Sequence, residues 1–188
     1  MNRNKYAKVV GDVRKQRRKG GWRQATAKSK DLNQDRKPLW ISRSSPSVQP
    51  SNLYEIYVSG VSQREWCSRA AVAWGLKDPN ESGQLHVDSC GVAKATCITA
   101  EYEALCKGLE VCRTQGIREV MMYTMAQTVM YQLYQKYAIR KKRLYKYALR
   151  FDELANQFDT VSINHASYSD QNMKDVCDDA YAFIDALT

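Results

Sequence analysis

A short apolar run, REVMMYT at residues 118–124, is followed at once by a segment with helical spacing, AQTVMYQLYQKYA. A compact apolar run of this length is typical of a strand that is buried on both faces, as in parallel sheets covered by helices. The pattern therefore predicts an α/β fold with a sheet between two layers of helices. Met125 falls where this strand ends, at the sheet edge where α/β proteins usually bind ligands.

The chain from residue 53 onward supplies the other elements of such a sheet. LYEIYVSGV, EWCSRAAVAWGL and LHVDSCGVA predict three consecutive strands in an antiparallel meander, and TVSINH predicts a fifth strand. TAEYEALCKGLEVCRTQG predicts a helix with Thr99 as its N-cap and Gly116 at its end. RKKRLYKYALRFDELANQF and NMKDVCDDAYAFIDAL predict two further amphipathic helices. The predicted order is βββαβααβα, a five-stranded mixed sheet with strand one central and helices on both faces.

Charge divides the chain into two parts. Residues 1–50 contain 14 Lys/Arg and 3 Asp/Glu, whereas the remaining 138 residues contain 15 and 17. We therefore predict a basic extended arm and Ser/Pro linker at residues 1–52, and one globular domain at residues 53–188. A basic arm typically binds polyanions, nucleic acid first and an anionic membrane surface second. No apolar run is long enough to span a membrane, so we expect no membrane partner.

The arm has its densest charge in VRKQRRKGGWRQATAKSK. Its cations would contact phosphates and its tryptophan would stack on a base; these candidates are Arg14, Lys15, Arg17, Arg18, Lys19, Trp22 and Arg23. The same composition, rich in Arg and poor in acids, also describes a solvated tail or an organelle-targeting segment. The sequence leaves these alternatives open.

The six cysteines indicate a reducing compartment. They lie scattered in apolar segments, none forms a C-x-x-C, and neither histidine stands beside a cysteine pair in zinc-finger spacing. We therefore predict core thiols and no cofactor, in an intracellular protein. A mitochondrion or another organelle is the favoured location, with the cytoplasm and the nucleus left open.

The element order, together with AEYEALCKGLEV in the first long helix and YTMAQ after the fourth strand, resembles the type 1 ribonuclease H family, especially its retroelement-related branch. The resemblance covers roughly residues 53–187. It implies a ribonuclease H-like fold. In that family four carboxylates hold two Mg²⁺ ions, which hydrolyse the RNA strand of RNA–DNA hybrids.

The resemblance assigns each of the four positions to a residue of this chain. Glu101 matches the helix acid, and Asp175, ten residues after His165, matches the acid of the last helix. Ser59 and Met125 replace the acids of the first and fourth strands. Because a hydroxyl is a weak neutral ligand and a thioether does not select Mg²⁺, we predict no metal site and no catalysis.

The surviving family residues have plainer interpretations as well. Glu101 and Asp175 are acids near helix starts, where the helix dipole favours them, and His165 suits a turn.

A second basic segment, YAIRKKRLYKY at residues 137–147, lies inside the globular part. Its cations would bind phosphates while its tyrosines stack on bases; they are Arg140, Lys141, Lys142, Arg143 and Lys146. The alternative is a solvated helix start whose tyrosines belong to the core.

These patterns favour a non-catalytic ribonuclease H-like protein that serves as a structural, RNA-binding component of a large ribonucleoprotein. An organelle ribosome is the best match, with RNA and neighbouring proteins as partners and no small-molecule substrate. Two alternatives stay open: an active ribonuclease H acting on RNA–DNA hybrids, and a protein-interaction module of a splicing or retroelement assembly.

Overall fold

The computed structural model describes residues 31–43, 53–63, 69–79 and 84–187. The predicted nucleic-acid-binding residues of the arm, 14–23, lie outside these ranges, as does most of the predicted linker. No helix in the described part of the chain is long and apolar enough to cross a membrane.

Five strands form one mixed sheet in the spatial order β3-β2-β1-β4-β5. They are β1 (Tyr54–Ser62), β2 (Arg69–Lys77), β3 (Leu85–Ala93), β4 (Glu119–Thr124) and β5 (Thr160–His165). β1 pairs antiparallel with β2 and parallel with β4, with Tyr57 opposite Tyr123 in the parallel register. The predicted fold, with strand one central and strand four parallel to it, is confirmed.

Helices cover both faces of this sheet. The helices are α1 (Leu39–Arg43), α2 (Cys97–Thr114), α3 (Gln127–Leu133), α4 (Lys142–Ala155) and α5 (Gln171–Ala186). Side chains alternate along β1, so Ile56 and Val58 belong to the core under α2 and α4. Tyr57 belongs to a second core, under Met173 and Val176 of α5. β1 is buried on both faces because each of its faces carries a helix layer.

The start of α2 differs from the prediction. Thr96 is the N-cap, and Thr99 is the third residue of the helix. The two form a capping box, in which each threonine side chain accepts a hydrogen bond from the other's backbone N–H. The prediction of Thr99 as N-cap was wrong because both residues can cap, and only the backbone conformation decides between them. Gly116 ends the helix as predicted, with a φ of 75° that favours glycine.

Residues 31–43, which we call the strap, form part of the globule. The compact unit runs from Asp31, not from residue 53. Within the strap a short 3-10 helix, Leu32–Asp35, is followed by α1, and Trp40 is only 1% exposed. The charge pattern placed this segment in the arm and linker because its anchoring residues are polar or isolated in sequence.

Gly60 of β1 lies directly against a helix. A Cβ atom at this position would lie 2.2 Å from the carbonyl carbon of Ala100 in the first turn of α2. Glycine therefore lets the start of α2 sit directly on the end of β1, which brings Glu101 to the edge of the sheet.

Candidate functional site

Four elements meet at the end of the central strands. β1 contributes Ser59, the first turn of α2 contributes Glu101, the end of β4 contributes Met125, and α5 contributes Cys177. We call these four residues the site cluster. Ser59 and Cys177 are buried, Glu101 is half-buried, and Met125 is 38% exposed.

Sulfur and hydroxyl groups fill the space between the strands and α5. The Cys177 thiol donates to Ser59 Oγ at 3.3 Å and lies 3.4 Å from Met125 Sδ. The Cys177 side chain is therefore in contact with both of the other two. Burial raises the pKa of the Cys177 thiol, although the hydrogen bond to Ser59 opposes the shift. The thiol is therefore held in its neutral form.

Glu101 is the one carboxylate in the site cluster. Thr124 Oγ1 donates to its carboxylate at 3.3 Å, and the backbone N–H of Gly60 donates to it as well. Burial nevertheless raises the pKa of Glu101 to about 8, because these two donors do not replace the water that is excluded. At neutral pH the Glu101 side chain is mainly a neutral carboxylic acid.

Asp175 does not join the site cluster, although the resemblance assigned it the position of the last-helix acid. It is exposed, and its Oδ1 accepts from Gln171 Nε2 at 2.6 Å, one turn earlier on α5. From α5 it is Cys177 that contacts Ser59 and Met125. Two residues along an α-helix correspond to a rotation of about 200°, so Asp175 and Cys177 lie on opposite sides of α5. The buried spacing of Met173, Cys177, Ala180 and Ile184 was the signal that identifies the inner side.

His165 is at the end of β5, directly beside the site. In the parallel register it is opposite Thr124, and the next residue, Ala166, donates from its backbone N–H to the Thr124 carbonyl at 3.0 Å. The imidazole is exposed. The pairing of β5 with β4 therefore brings His165 to the same edge of the sheet as the site.

The donor atoms of the site cluster do not suit the paired Mg²⁺ ions of the ribonuclease H family. Mg²⁺ requires several oxygen ligands, chiefly carboxylates, whereas this site presents one carboxyl group, one hydroxyl and two sulfur atoms. In the described part of the chain, no group of three or more His, Cys, Asp or Glu side chains is arranged to hold a metal ion.

The predicted cations of the second basic segment form one exposed surface, which we call the basic surface. All five are exposed: Arg140, Lys141, Lys142, Arg143 and Lys146. A shallow groove beside them is lined by Lys142, Arg143, Lys146, Tyr147 and Arg150. The Arg150 guanidinium is fixed by Glu103 and Glu110 at 2.6 and 2.8 Å. Within the part of the chain that the structure describes, the other cations of this surface form no ion pair that phosphate binding would have to break.

The tyrosines of this segment divide between the two predicted roles. Tyr145 and Tyr147 are half-buried and pack against the core, whereas Tyr137 is 49% exposed. Tyr137 is therefore the most exposed tyrosine of this segment, although its ring also packs edge-on against Tyr131, with the centroids 4.9 Å apart.

A family comparison agrees with this arrangement. The profile of the reverse transcriptase-like family matches residues 60–177, from Gly60 beside Glu101 to Cys177 in the site cluster. The chain belongs to this family.

Solved structures place this reverse transcriptase-like chain among ribonuclease H folds. RNase H1 from the archaeon Halobacterium salinarum is 26% identical, with a TM-score of 0.64 over 71% of this chain and 98% of the other. The N-terminal RNase H domain of a Mycobacterium tuberculosis protein is 21% identical, with a TM-score of 0.64 over 72% and 96%. LC11-RNase H1, solved with an RNA/DNA hybrid, is 20% identical, with a TM-score of 0.63 over 72% and 99%. A sequence comparison with curated proteins found no match.

Proposed function

We propose that this reverse transcriptase-like chain is a non-catalytic ribonuclease H-like protein that binds RNA or RNA-containing duplexes. The observation that carries the proposal is the site cluster. Ser59 and Met125 stand where the resemblance expects carboxylates, and from α5 it is Cys177, not Asp175, that lies against them. The fourth residue, Glu101, is the one carboxyl group of the cluster. A site without several ionised oxygen ligands cannot hold the ions that supply both nucleophile and charge stabilisation.

The cleavage half of the proposal is tested with a labelled RNA–DNA hybrid in Mg²⁺ or Mn²⁺. We expect the purified full chain to leave the hybrid intact under conditions in which an active ribonuclease H1 cuts it. Cleavage that is lost in Glu101→Gln would contradict the proposal and would instead support the alternative of an active ribonuclease H.

The binding half of the proposal rests on the basic surface and on the fold. A structural relative, LC11-RNase H1, is solved with an RNA/DNA hybrid. Five exposed cations lie within residues 140–146, just before and in the first turns of α4, and a concentration of positive charge of this kind favours contact with phosphates. We propose that RNA lies across this surface, with Tyr137 stacking on an unpaired base where one is present.

This binding is tested by fluorescence anisotropy with a hybrid, a double-stranded RNA and a single-stranded RNA over a range of salt concentrations. Lys142→Glu should weaken binding and lower the slope of log K against log salt by about 0.7–0.9 for each phosphate that the variant no longer neutralises. Lys174→Glu makes the same charge change at an exposed position of α5 and serves as the matched control. Equal effects of the two variants would show that net charge, not the basic surface, governs binding.

We propose further that the protein works as a structural component of a large ribonucleoprotein, such as a mitochondrial ribosome. The support is the sequence of residues 1–50, with 14 Lys/Arg and 3 Asp/Glu, because basic extensions of this kind neutralise RNA phosphates inside such assemblies. Sedimentation of a cell or organelle lysate tests it: the protein should travel with ribosomal subunits and leave them when RNA is digested. A protein that remains at the top of the gradient contradicts the assignment.

A further inference from the structure

The strap, residues 31–43, makes several of its polar contacts with one segment of the globule. This segment is residues 134–141, which we call the connection because it joins α3 to α4. Leu32 N donates to the Ile139 carbonyl at 3.0 Å, and Ile139 N donates to Asp31 Oδ1 at 3.1 Å. Asn33 Nδ2 donates to the Tyr137 carbonyl at 2.6 Å. The strap therefore satisfies backbone groups of the connection that no regular element pairs.

The connection also contains a residue in an unfavourable backbone conformation. Gln135 has a φ of 60°, in the left-handed region that non-glycine residues rarely adopt. Its side chain donates from Nε2 to the carbonyl of Arg36 in the strap at 3.1 Å. A strained residue persists only where its surroundings hold it. Here the strap is part of those surroundings.

A buried ion pair fixes the strap itself. The Arg36 side chain is fully buried and donates through Nε and Nη2 to the two carboxylate oxygens of Asp152 on α4, at 2.8 and 2.7 Å. Trp40 Nε1 donates to the same carboxylate at 2.9 Å. Arg36 Nη1 also donates to the carbonyl of Gln132, the residue before the last one of α3. One arginine therefore joins the strap, the end of α3 and α4.

The basic surface begins inside the connection. Arg140 and Lys141 are its last two residues, and Lys142 and Arg143 open α4. α4 has no side-chain cap at its first turn, so the conformation of the connection decides where these four cations point. The profile of the family starts at residue 60, and the strap lies entirely before it.

We propose that the strap is a positioning element for RNA binding. Through Arg36 and Asp152 it holds the connection in the conformation in which Arg140–Arg143 meet RNA, although neither Arg36 nor Asp152 contacts the RNA. The inference rests on the RNA binding proposed above and adds that this binding depends on a buried arginine outside the family's matched region. Ordering the cations before RNA arrives removes an entropic cost that a loose connection would incur on binding.

The test compares Arg36→Leu with Arg118→Leu in the full chain. Arg118 is an exposed arginine paired with Asp159 at 3.3 Å, so its substitution is the matched control for loss of an arginine and an ion pair. RNA affinity is measured by anisotropy across salt concentrations, at a temperature where circular dichroism shows each variant folded. Hydrogen exchange of residues 134–141 is measured on the same samples.

We expect Arg36→Leu to weaken binding about tenfold at every salt concentration, with an unchanged salt slope, and to speed exchange in the connection. An unchanged slope is the signature of lost positioning, since removal of a cation that neutralises a phosphate lowers the slope. Arg118→Leu should change affinity by less than twofold and leave exchange in the connection unaltered. Should Arg36→Leu fail to fold, Asn33→Ala is expected to act in the same direction with a smaller effect. This variant removes the bonds to the Tyr137 and Gln132 carbonyls and the side-chain oxygen that accepts from Arg36, but it keeps the Arg36–Asp152 ion pair.

The outcomes separate this inference from the function on which it rests. Wild-type protein that binds no RNA overturns both. Wild-type protein that binds RNA, together with an Arg36→Leu variant that is folded and binds equally well, overturns the positioning role alone. A weakening of Arg36→Leu that comes entirely from a lower salt slope also overturns it, because the effect would then be one of charge.

Discussion

The raised pKa of Glu101 predicts an unusual dependence of stability on pH. A carboxyl group whose pKa is higher in the folded than in the unfolded state binds its proton more tightly in the folded state. Its contribution to the free energy of unfolding is therefore complete below the unfolded pKa and is lost as the pH rises toward the folded pKa. For Glu101 the loss runs from about pH 4.5 to about pH 8.

The structure gives the size of this effect. One pKa unit corresponds to about 1.4 kcal/mol. The difference between 4.5 and about 8 corresponds to on the order of 5 kcal/mol, of which roughly 4 kcal/mol would be lost between pH 5 and pH 9. This is a large share of the stability of a typical domain. The groups that face the Glu101 carboxyl are Thr124 and the Gly60 N–H, which favour its charge, and the Cys177 thiol, which does not.

The assay is urea unfolding, followed by tryptophan fluorescence, of the wild type and of Glu101→Gln at intervals between pH 5 and pH 9. Glutamine keeps an oxygen that accepts from Thr124 but cannot ionise. We expect the free energy of unfolding of the variant to rise steadily relative to that of the wild type through this range, by on the order of 4 kcal/mol in total. Glu153→Gln, at an exposed position of α4, is the control and should follow the wild type. If the free energies of unfolding of the wild type and Glu101→Gln depended on pH in the same way, the reasoning would be refuted, since Glu101 would then ionise normally in the folded protein.

Three further predictions concern the site cluster, Gly60 and the strap. In the triple variant Ser59→Asp, Met125→Asp and Cys177→Asp, Mg²⁺ should raise the melting temperature and give cleavage of RNA–DNA hybrids, because four carboxylates then surround the site. A melting temperature that does not change when Mg²⁺ is added would show that these four positions no longer have the geometry of a metal site. Gly60→Ala should destabilise the domain by at least the roughly 1–3 kcal/mol typical of overpacking, because the added Cβ would lie 2.2 Å from the Ala100 backbone. In the same thermal melt Gly91→Ala should destabilise the domain less, because its Cβ would lie 3.2 Å from Phe183 Cε1. Deleting residues 1–30 should leave the melting temperature nearly unchanged. Deleting residues 1–37 also removes Arg36 and leaves Asp152 buried without its ion-pair partner, which should lower the free energy of unfolding by about 3–5 kcal/mol. Equal melting temperatures of the two deletion variants would show that the strap does not support the fold.

The local sequence pattern was enough to specify the elements of the sheet and their order. Apolar alternation in LYEIYVSGV and the compact run REVMMYT report burial on one or two faces, and burial of this kind is a local property of a strand. The ends of β1 and β4, and with them the places of Ser59 and Met125, follow from the same local pattern. For this reason the replacement of two family acids was visible without a structure.

The residue of α5 that completes the site could not be found in this way, because it depends on how the helix packs on the sheet. A fixed spacing from His165 selected Asp175, but the rotational phase of the helix, set by packing of Met173 and Val176 on the sheet, turns Cys177 inward. The charge state of Glu101 was also beyond the sequence, since its pKa depends on which neighbours exclude water around the carboxyl group.

The strap shows the same limit over a longer range. Arg36 stands in a basic, polar stretch that is typical of a solvated arm, and Asp152 lies 116 residues later on an amphipathic helix. Neither residue carries a local sign of burial, because a charged side chain is buried only where its partner arrives from elsewhere in the chain. Local periodicity encodes which face of an element is apolar, whereas the pairing of distant charges is settled only when the elements pack.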